Sequence, residues 1–256
     1  MAKIIAVANQ KGGVGKTTST INLAFSLAKR GRTVLAIDAD PQASLTFYFG
    51  QDERELEADK RTLFYSLVED RPLSELLIEG NPALIASSIM LSKADRDLMM
   101  RMRYTDTLLR EKLRELSDAY DFILIDCPPT LTLLTSNALA AAHAVLIPVK
   151  TDLLSILGIP LLLQEIEEVR ARANPNLTVW GALPTLYNTR FTNDNQALEA
   201  LKGILAPKGI RVFQPIPRST GYDRASGEGI PTVVLSPNAP GVEVYYELAD
   251  EIINYG

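Results

Sequence analysis

The chain has 256 residues, 46% apolar and 22% charged, with a net charge of −5. That length can bury one large core, and the composition is that of an ordinary globular protein. A single cysteine, Cys127, excludes an internal disulfide framework and a Cys-rich zinc site, and it fits a reducing cytosol. No stretch approaches 18 uninterrupted apolar residues, so no membrane-spanning helix is expected. The net negative charge argues against a broad polyanion-binding surface but leaves a local basic patch open.

The opening MAKIIAVANQ has no long apolar core of a signal peptide and reads as a first strand. Short β-rich runs recur at Lys3–Ala8, Thr33–Ile37, Phe122–Ile125, Ala144–Val149, Val179–Leu183 and Ile210–Phe213. The nearly continuous apolar runs among them predict strands buried on both faces. Helical periodicity lies between the runs. Thr17–Arg30 carries Ile21, Ala24, Leu27 and Ala28 on one stripe and stops before Gly31. Pro160–Arg172 carries Leu162, Ile166 and Val169, with Pro160 tolerated in a first turn, and Val242–Ile253 forms a last helix. Strand–helix alternation predicts an α/β fold: a doubly wound, mostly parallel twisted sheet flanked by helices. With no repeat, low-complexity tract or linker, residues 1–256 are expected to form a single domain. Residues 51–118 are the least regular part. They are expected to be a solvated peripheral insertion, with a mixed-charge helix around Tyr104–Leu116.

The sharpest chemical signal is Lys11-Gly12-Gly13-Val14-Gly15-Lys16-Thr17-Thr18. The phosphate-loop pattern G-x-x-x-x-G-K-[ST] has its last three elements at Gly15, Lys16 and Thr17, while Gln10 replaces its first glycine. The loop stands between a strand and a helix, the context this chemistry requires. Glycines let backbone N–H groups wrap phosphates, and the helix start adds a positive end. Lys16 is expected to reach the β- and γ-phosphates, and Thr17 to give its hydroxyl to Mg²⁺. Lys11 is either a solvated lysine on an exposed turn or a second phosphate-directed cation. In the second case it would reach a partner's nucleotide, as an arginine finger does in trans.

Asp38 and Asp40 stand at the end of one apolar run and Asp126 at the end of another. Ligands gather at strand C-termini in open α/β sheets. One such Asp is often only a helix cap. Two such strands beside a phosphate loop point to a metal site, with Asp126 and Asp38 near the ion and Asp40 placed to position the attacking water. The prolines after Asp126 suit a switch loop. Cys127 reads as a small buried residue, and His143 has no catalytic constellation around it.

KGGVGKTT, DADPQ (Asp38–Gln42) and FILIDCPP (Phe122–Pro129) together resemble the ParA/Soj–MinD family of deviant Walker ATPases, and the short Soj-like ParA proteins in particular. The resemblance runs over nearly the whole chain, through YNTR (Tyr187–Arg190), IPRS (Ile216–Ser219) and Gly241–Ala249. It implies a P-loop ATPase with ATP and Mg²⁺ as cofactors and weak hydrolysis that a ParB-like partner stimulates. It also implies an ATP-dependent homodimer that binds double-stranded DNA without sequence preference, in the cytoplasm on the nucleoid, for plasmid or chromosome segregation.

The same resemblance makes Lys11 the signature lysine that contacts nucleotide across the dimer, Asp40 the carboxylate needed for hydrolysis and Asp126 the Walker B aspartate. Pro217 then lines the adenine pocket. Ser219 stands where the family has Asn, and Asn188 where Soj-like proteins have Asp. Asp152 is placed at the dimer seam beside the lysine. Arg190 matches a DNA-linked arginine. A second family arginine falls on Gly221, with Arg218 and Arg224 nearby as substitutes. Residues 151–256 carry more acidic than basic side chains, so a DNA surface has to be a patch.

Three rivals follow from the same resemblance. A MinD-like membrane switch needs a basic amphipathic tail, whereas this chain's last residues hold Asp250 and Glu251. An electron-transfer ATPase of the nitrogenase iron-protein type needs cluster cysteines that Cys127 alone cannot supply. A relative that positions a protein organelle is not separable by sequence. A chain that starts on its first strand is expected to have no N-terminal helix-turn-helix.

Overall fold

The computed structural model describes residues 1–100, 105–130 and 132–254. In chain order, β1 (Lys3–Val7) leads through the phosphate loop into α1 (Lys16–Lys29), and β2 (Val34–Asp38) leads into α2 (Ser44–Tyr48) and α3 (Glu53–Ala58). Then come α4 (Leu63–Glu69), β3 (Ala83–Ile85), α5 (Ala94–Met100), α6 (Leu108–Leu113), β4 (Phe122–Asp126) and α7 (Leu133–Ala141). They are followed by β5 (Ala144–Lys150), α8 (Leu153–Leu157), α9 (Ile159–Arg172), β6 (Thr178–Thr185), α10 (Thr192–Leu205), α11 (Thr220–Glu228), α12 (Thr232–Leu235) and α13 (Val242–Asn254).

Six strands form one sheet in the order β3-β2-β4-β1-β5-β6, every pair parallel. Alternate residues feed opposite faces, as a pleated strand requires. Ile4, Ala6, Leu35, Ile37, Ile123 and Ile125 belong to one core layer, with Ala138 of α7 and Leu162, Ile166 and Val169 of α9. Ile5, Val7, Val34 and Leu124 belong to the other, with Leu23, Ala24 and Leu27 of α1 and Tyr245, Leu248 and Ile252 of α13. Burial on both faces is why these strands read as unbroken apolar runs. Trp180, the only tryptophan, sits near the start of β6 in that second layer, stacked edge-on against Phe213 with ring centres 5.0 Å apart. Its indole N–H donates to Glu251 on α13 at 3.2 Å.

Leu27 is fully buried between the sheet and α13. Leu27→Ala is expected to cost about 2–5 kcal/mol, the usual range for a core truncation. The check is a fall in the urea midpoint at unchanged slope.

Two expectations are overturned. Ile210–Phe213 is not a strand, because its backbone hydrogen-bonds to β6 only at Ala182, whose N–H donates to the Arg211 carbonyl at 2.9 Å and whose carbonyl accepts the Phe213 N–H at 2.8 Å. Pro184 and Pro215 lack the N–H groups that would extend the ladder there. The sixth strand is instead β3, within the region expected to be a solvated insertion. That region is not peripheral: Leu63, Leu67, Leu73, Leu76, Leu91, Leu98, Leu109 and Leu113 are all buried in the first core layer. Its short helices and 3₁₀ turns interrupt any long period, which hides the burial from a pattern reading. The helix expected around Tyr104–Leu116 is the shorter α6, and Tyr104 itself lies outside the described residues. Among the described residues no helix is long and apolar enough to cross a membrane.

Candidate nucleotide and magnesium site

The phosphate loop leaves the C-terminal end of β1 at the middle of the sheet and is fastened from three sides. Asn9, buried at its root, donates to the Pro148 carbonyl of β5 at 2.7 Å and accepts the Lys11 N–H at 3.1 Å. The Val14 carbonyl accepts the hydroxyl of Thr185, the last residue of β6, at 2.8 Å. Gly13 and Gly15 have φ of 70° and 84°, the left-handed region that only glycine enters freely. A Cβ at Gly15 would rest in ordinary contact with the Thr185 methyl, 3.5 Å away, so it is the positive φ that calls for glycine there. Gly12 and Gly13 face open space. The result is a rigid cradle with an exposed mouth, and α1 starts inside it at Lys16. Thr18 lies in the first turn of α1, where its carbonyl accepts Asn22 at 2.7 Å.

Lys16 is 7% exposed and folds its ammonium back onto the Lys11 carbonyl at 3.2 Å. Burial pulls its pKa down, and the nearby Asp126 and Asp40 oppose that pull. The Thr17 hydroxyl donates to one Asp126 oxygen at 2.7 Å, and the Thr20 hydroxyl lies 3.1 Å from the other. Asp126 and Asp38 are register partners at the ends of β4 and β2. Burial raises the pKa of both carboxyls; for Asp38 the neighbouring Asp126 adds to the rise. The Thr17 hydrogen bond and the Lys16 charge oppose the rise at Asp126. One hydroxyl and one carboxylate beside a phosphate cradle suit Mg²⁺, which keeps several waters and takes phosphate oxygens as further ligands. Among the described residues no group of three or more His, Cys, Asp or Glu is placed to hold a metal ion.

Asp38, expected near the metal ion, already has donors on both of its oxygens. Its oxygens accept the Thr46 N–H at 2.8 Å, the Thr46 hydroxyl at 2.8 Å and the Asp40 N–H at 3.1 Å. Asp38 therefore anchors α2 and the Asp40 turn, and of the two strand-end acids it is Asp126 that meets Thr17. Asp40 accepts the Gln42 N–H at 2.9 Å and lies near enough to Lys16 to act on its charge.

Lys11 points to the rim of the loop and pairs with Asp152 of the same chain at 3.1 Å. Asp152 also meets Lys150 at 3.1 Å and caps α8 through the Ser155 N–H at 2.8 Å. Burial would raise its carboxyl, but these hydrogen bonds outweigh burial and hold it well below the ordinary carboxylate range.

The residues expected to wall the base lie near the C-terminal end of β6. The Tyr187 N–H reaches the Ile216 carbonyl at 3.1 Å and the Arg218 N–H reaches the Tyr187 carbonyl at 2.9 Å, which brings Asn188 beside Pro217. Gly241 closes against Pro217, since a Cβ there would lie 2.6 Å from the ring. Ser219 and Asn188 already have structural work. Ser219 Oγ accepts the Gly221 N–H at 3.2 Å and caps α11, and Asn188 Oδ1 accepts the Arg190 N–H at 3.0 Å. Gly221 has no room for the arginine expected there, because a Cβ would stand 2.7 Å from that of Ala239. Arg190 and Arg218 are exposed, whereas Arg224 pairs with Glu228 at 2.8 Å.

Sequence reasoning missed Asn9, Thr20, Thr46 and Thr185. Thr20 lies three residues after Thr17 on the same helix face, a signal that could have been read. Asn9 and Thr185 act across long sequence separations, and Thr46 reaches Asp38 from across the turn that follows β2.

A parallel sheet whose central strand delivers a glycine cradle, a buried lysine and a threonine–aspartate pair defines a P-loop nucleoside triphosphatase. Comparison with known proteins narrows the class. The model of the family described as an AAA domain matches residues 2–179. The sporulation initiation inhibitor protein Soj of Bacillus subtilis is 35% identical over 100% of both chains. The chromosome-partitioning ATPase Soj of Thermus thermophilus is 38% identical over 97% of this chain and 94% of its own. A crystal structure of the cobyrinic acid a,c-diamide synthase from Mycobacterium smegmatis, with bound ATP analogue and magnesium, is similar with a TM-score of 0.84 and 33% identity, covering 100% of this chain and 96% of that one. The chain belongs to the ParA/Soj family of P-loop ATPases.

Proposed function

We propose that the chain is a ParA-type partition ATPase that uses ATP and Mg²⁺, acts as a nucleotide-dependent homodimer, and binds duplex DNA without sequence preference. A ParB-like partner stimulates its weak hydrolysis and so releases it. The whole of residues 1–256 acts as one ATPase domain. The observation that carries this reading is the division between two lysines. Lys16 is buried and turned into its own cradle; Lys11 stands on the rim, held by Asp152 and free to be handed to another molecule.

In this reading the glycine cradle and Lys16 bind the phosphates, while Pro217, with Asn188 and Ser219 beside it, walls the base. Thr17 and Asp126 hold Mg²⁺, which when bound neutralises charge developing on the transferred phosphoryl group. Asp38 stays behind as the anchor of α2. Asp40 orients and deprotonates the attacking water, and Lys11 of a second copy stabilises the transition state.

Membrane association is disfavoured by α13. Its apolar residues Val242, Val244, Tyr245, Leu248, Ala249 and Ile252 are buried, and Tyr246 and Ile253 are half-buried against the same core, so its apolar face is turned to the sheet. Its acids are also engaged, Asp250 with Arg30 and Glu251 with Arg211. An amide-transfer role, which the Mycobacterium smegmatis protein's name describes, is disfavoured by the only cysteine: Cys127 is fully buried, with its thiol pushed far up in pKa by that burial.

The deciding experiment titrates random-sequence duplex, and separately anionic liposomes, with ATP, ADP and no nucleotide. Duplex binding only with ATP supports the reading, and liposome binding only with ATP overturns it. Arg190→Glu is expected to weaken ATP-dependent duplex binding at least about tenfold, through loss of a phosphate contact and added repulsion. ATP-dependent dimerisation, read by light scattering, should persist.

A further inference from the structure

We infer that Thr151 is a positioning residue whose hydroxyl couples the phosphate loop to the turn that carries Arg190. This rests on the DNA-binding reading above and adds to it a route from nucleotide to DNA.

A short chain of hydrogen bonds joins the two places. The Thr185 hydroxyl holds the Val14 carbonyl inside the phosphate loop at 2.8 Å. The Thr185 carbonyl accepts the Thr151 N–H at 3.2 Å. Asp194, in the first turn of α10, accepts the Asn188 N–H at 2.8 Å, and Asn188 accepts the Arg190 N–H at 3.0 Å. Between these halves stands the Thr151 hydroxyl, 3.3 Å from the Asp194 carboxylate and 3.4 Å from the Thr185 carbonyl. It has one proton for two acceptors, both at the long end of hydrogen-bonding distance.

That geometry makes a two-position device. With its proton on Asp194, Thr151 helps tie down the Asn188–Arg190 turn. With its proton on the Thr185 carbonyl, it leaves Asp194 with the Asn188 N–H alone. Thr151 and Thr185 are both buried, which shields the contact between them, while Asp194 is half-buried. A small displacement of Thr185 is enough to choose, and Thr185 is fastened to the carbonyl of a loop that phosphates fill. The next residue, Asp152, holds Lys11. The end of β5 is thus in contact with the rim lysine through one residue and with the Arg190 turn through the one before it.

Coupling of this kind appears as a ratio and is reciprocal. In the wild-type chain, ATP tightens duplex binding, and duplex tightens ATP binding by the same factor. Thr151→Val keeps the branched shape and deletes the proton; Thr151→Ser keeps the proton. The test measures duplex affinity by fluorescence anisotropy with and without ATP, and affinity for a fluorescent ATP analogue with and without duplex. Thr151→Val is expected to bind the analogue alone as wild type does, while both ratios fall at least about fivefold, the lower end of typical coupling. Thr151→Ser is expected to restore both.

Unchanged ratios in Thr151→Val overturn the inference. So does an equal loss of duplex affinity with and without ATP, which marks a merely structural brace. Should Thr151→Val fail to fold, Asp194→Asn, on a half-exposed helix turn, reads the same contact from its other side and is expected to lower both ratios. Wild-type chain that binds no duplex in any nucleotide state sinks the DNA reading itself, and is recognised because the failure appears before any substitution.

Discussion

Lys11→Ala is expected to abolish partner-stimulated ATP hydrolysis, with a loss on the order of 10³-fold or more, the effect of removing a cation supplied in trans. ATP binding should change only a few-fold, because Lys16 and the glycine cradle carry it. The asymmetry follows from placement: the Lys16 ammonium is buried on the Lys11 carbonyl, whereas the Lys11 ammonium sits on the rim against Asp152. The measurement is kcat with and without the stimulating partner, beside a nucleotide affinity. Normal stimulation in the variant ends the trans-lysine reading. Mixing Lys11→Ala with Asp40→Ala chains adds a sharper check, since only the mixed dimer places an intact Lys11 opposite an intact Asp40.

Asp40→Ala should stall the cycle at the opposite point. Loss of a general base typically lowers the rate by about 10²–10⁴. The variant keeps the cradle, Thr17 and Asp126, so it is expected to bind ATP and accumulate as a dimer on DNA. Light scattering with ATP reads this directly, and a monomer there removes Asp40 from the assigned role. Asp38→Ala is a different lesion. It releases Thr46 and the Asp40 N–H, so α2 loses its anchor and the defect includes stability. Two acids two positions apart, alike on paper, are separated by what each already holds.

That contrast shows where sequence reasoning reached and where it stopped. β1, β2 and β4 were legible because burial on both faces leaves an unbroken apolar run, and the phosphate loop because its residues are contiguous. Asp126 was legible as the end of such a run. The bonds that Asp38 makes were not legible, because its partner Thr46 comes from the far side of a turn, which only the fold reveals. Thr185 was invisible for the same reason: it reaches Val14 across 171 positions. β3 was missed because three apolar residues, Ala83–Ile85, cannot be told from a buried loop by periodicity. Ile210–Phe213 has the composition of a strand and lacks only a neighbour able to continue the ladder. Gly221 marks the limit of a family pattern: an arginine expected there has no space beside Ala239.

Trp180 gives the chain an optical probe that is separate from its chemistry. β6 carries the indole near one end and Thr185 at the other, five residues or about 17 Å away along the strand. The indole reports the packing of β6 against Phe213 and α13. Its emission therefore follows global unfolding with nucleotide present or absent. Because a ligand that binds only the folded chain shifts the unfolding midpoint by its affinity and concentration, this one chromophore can rank nucleotide affinities of slow or inactive variants without any turnover assay.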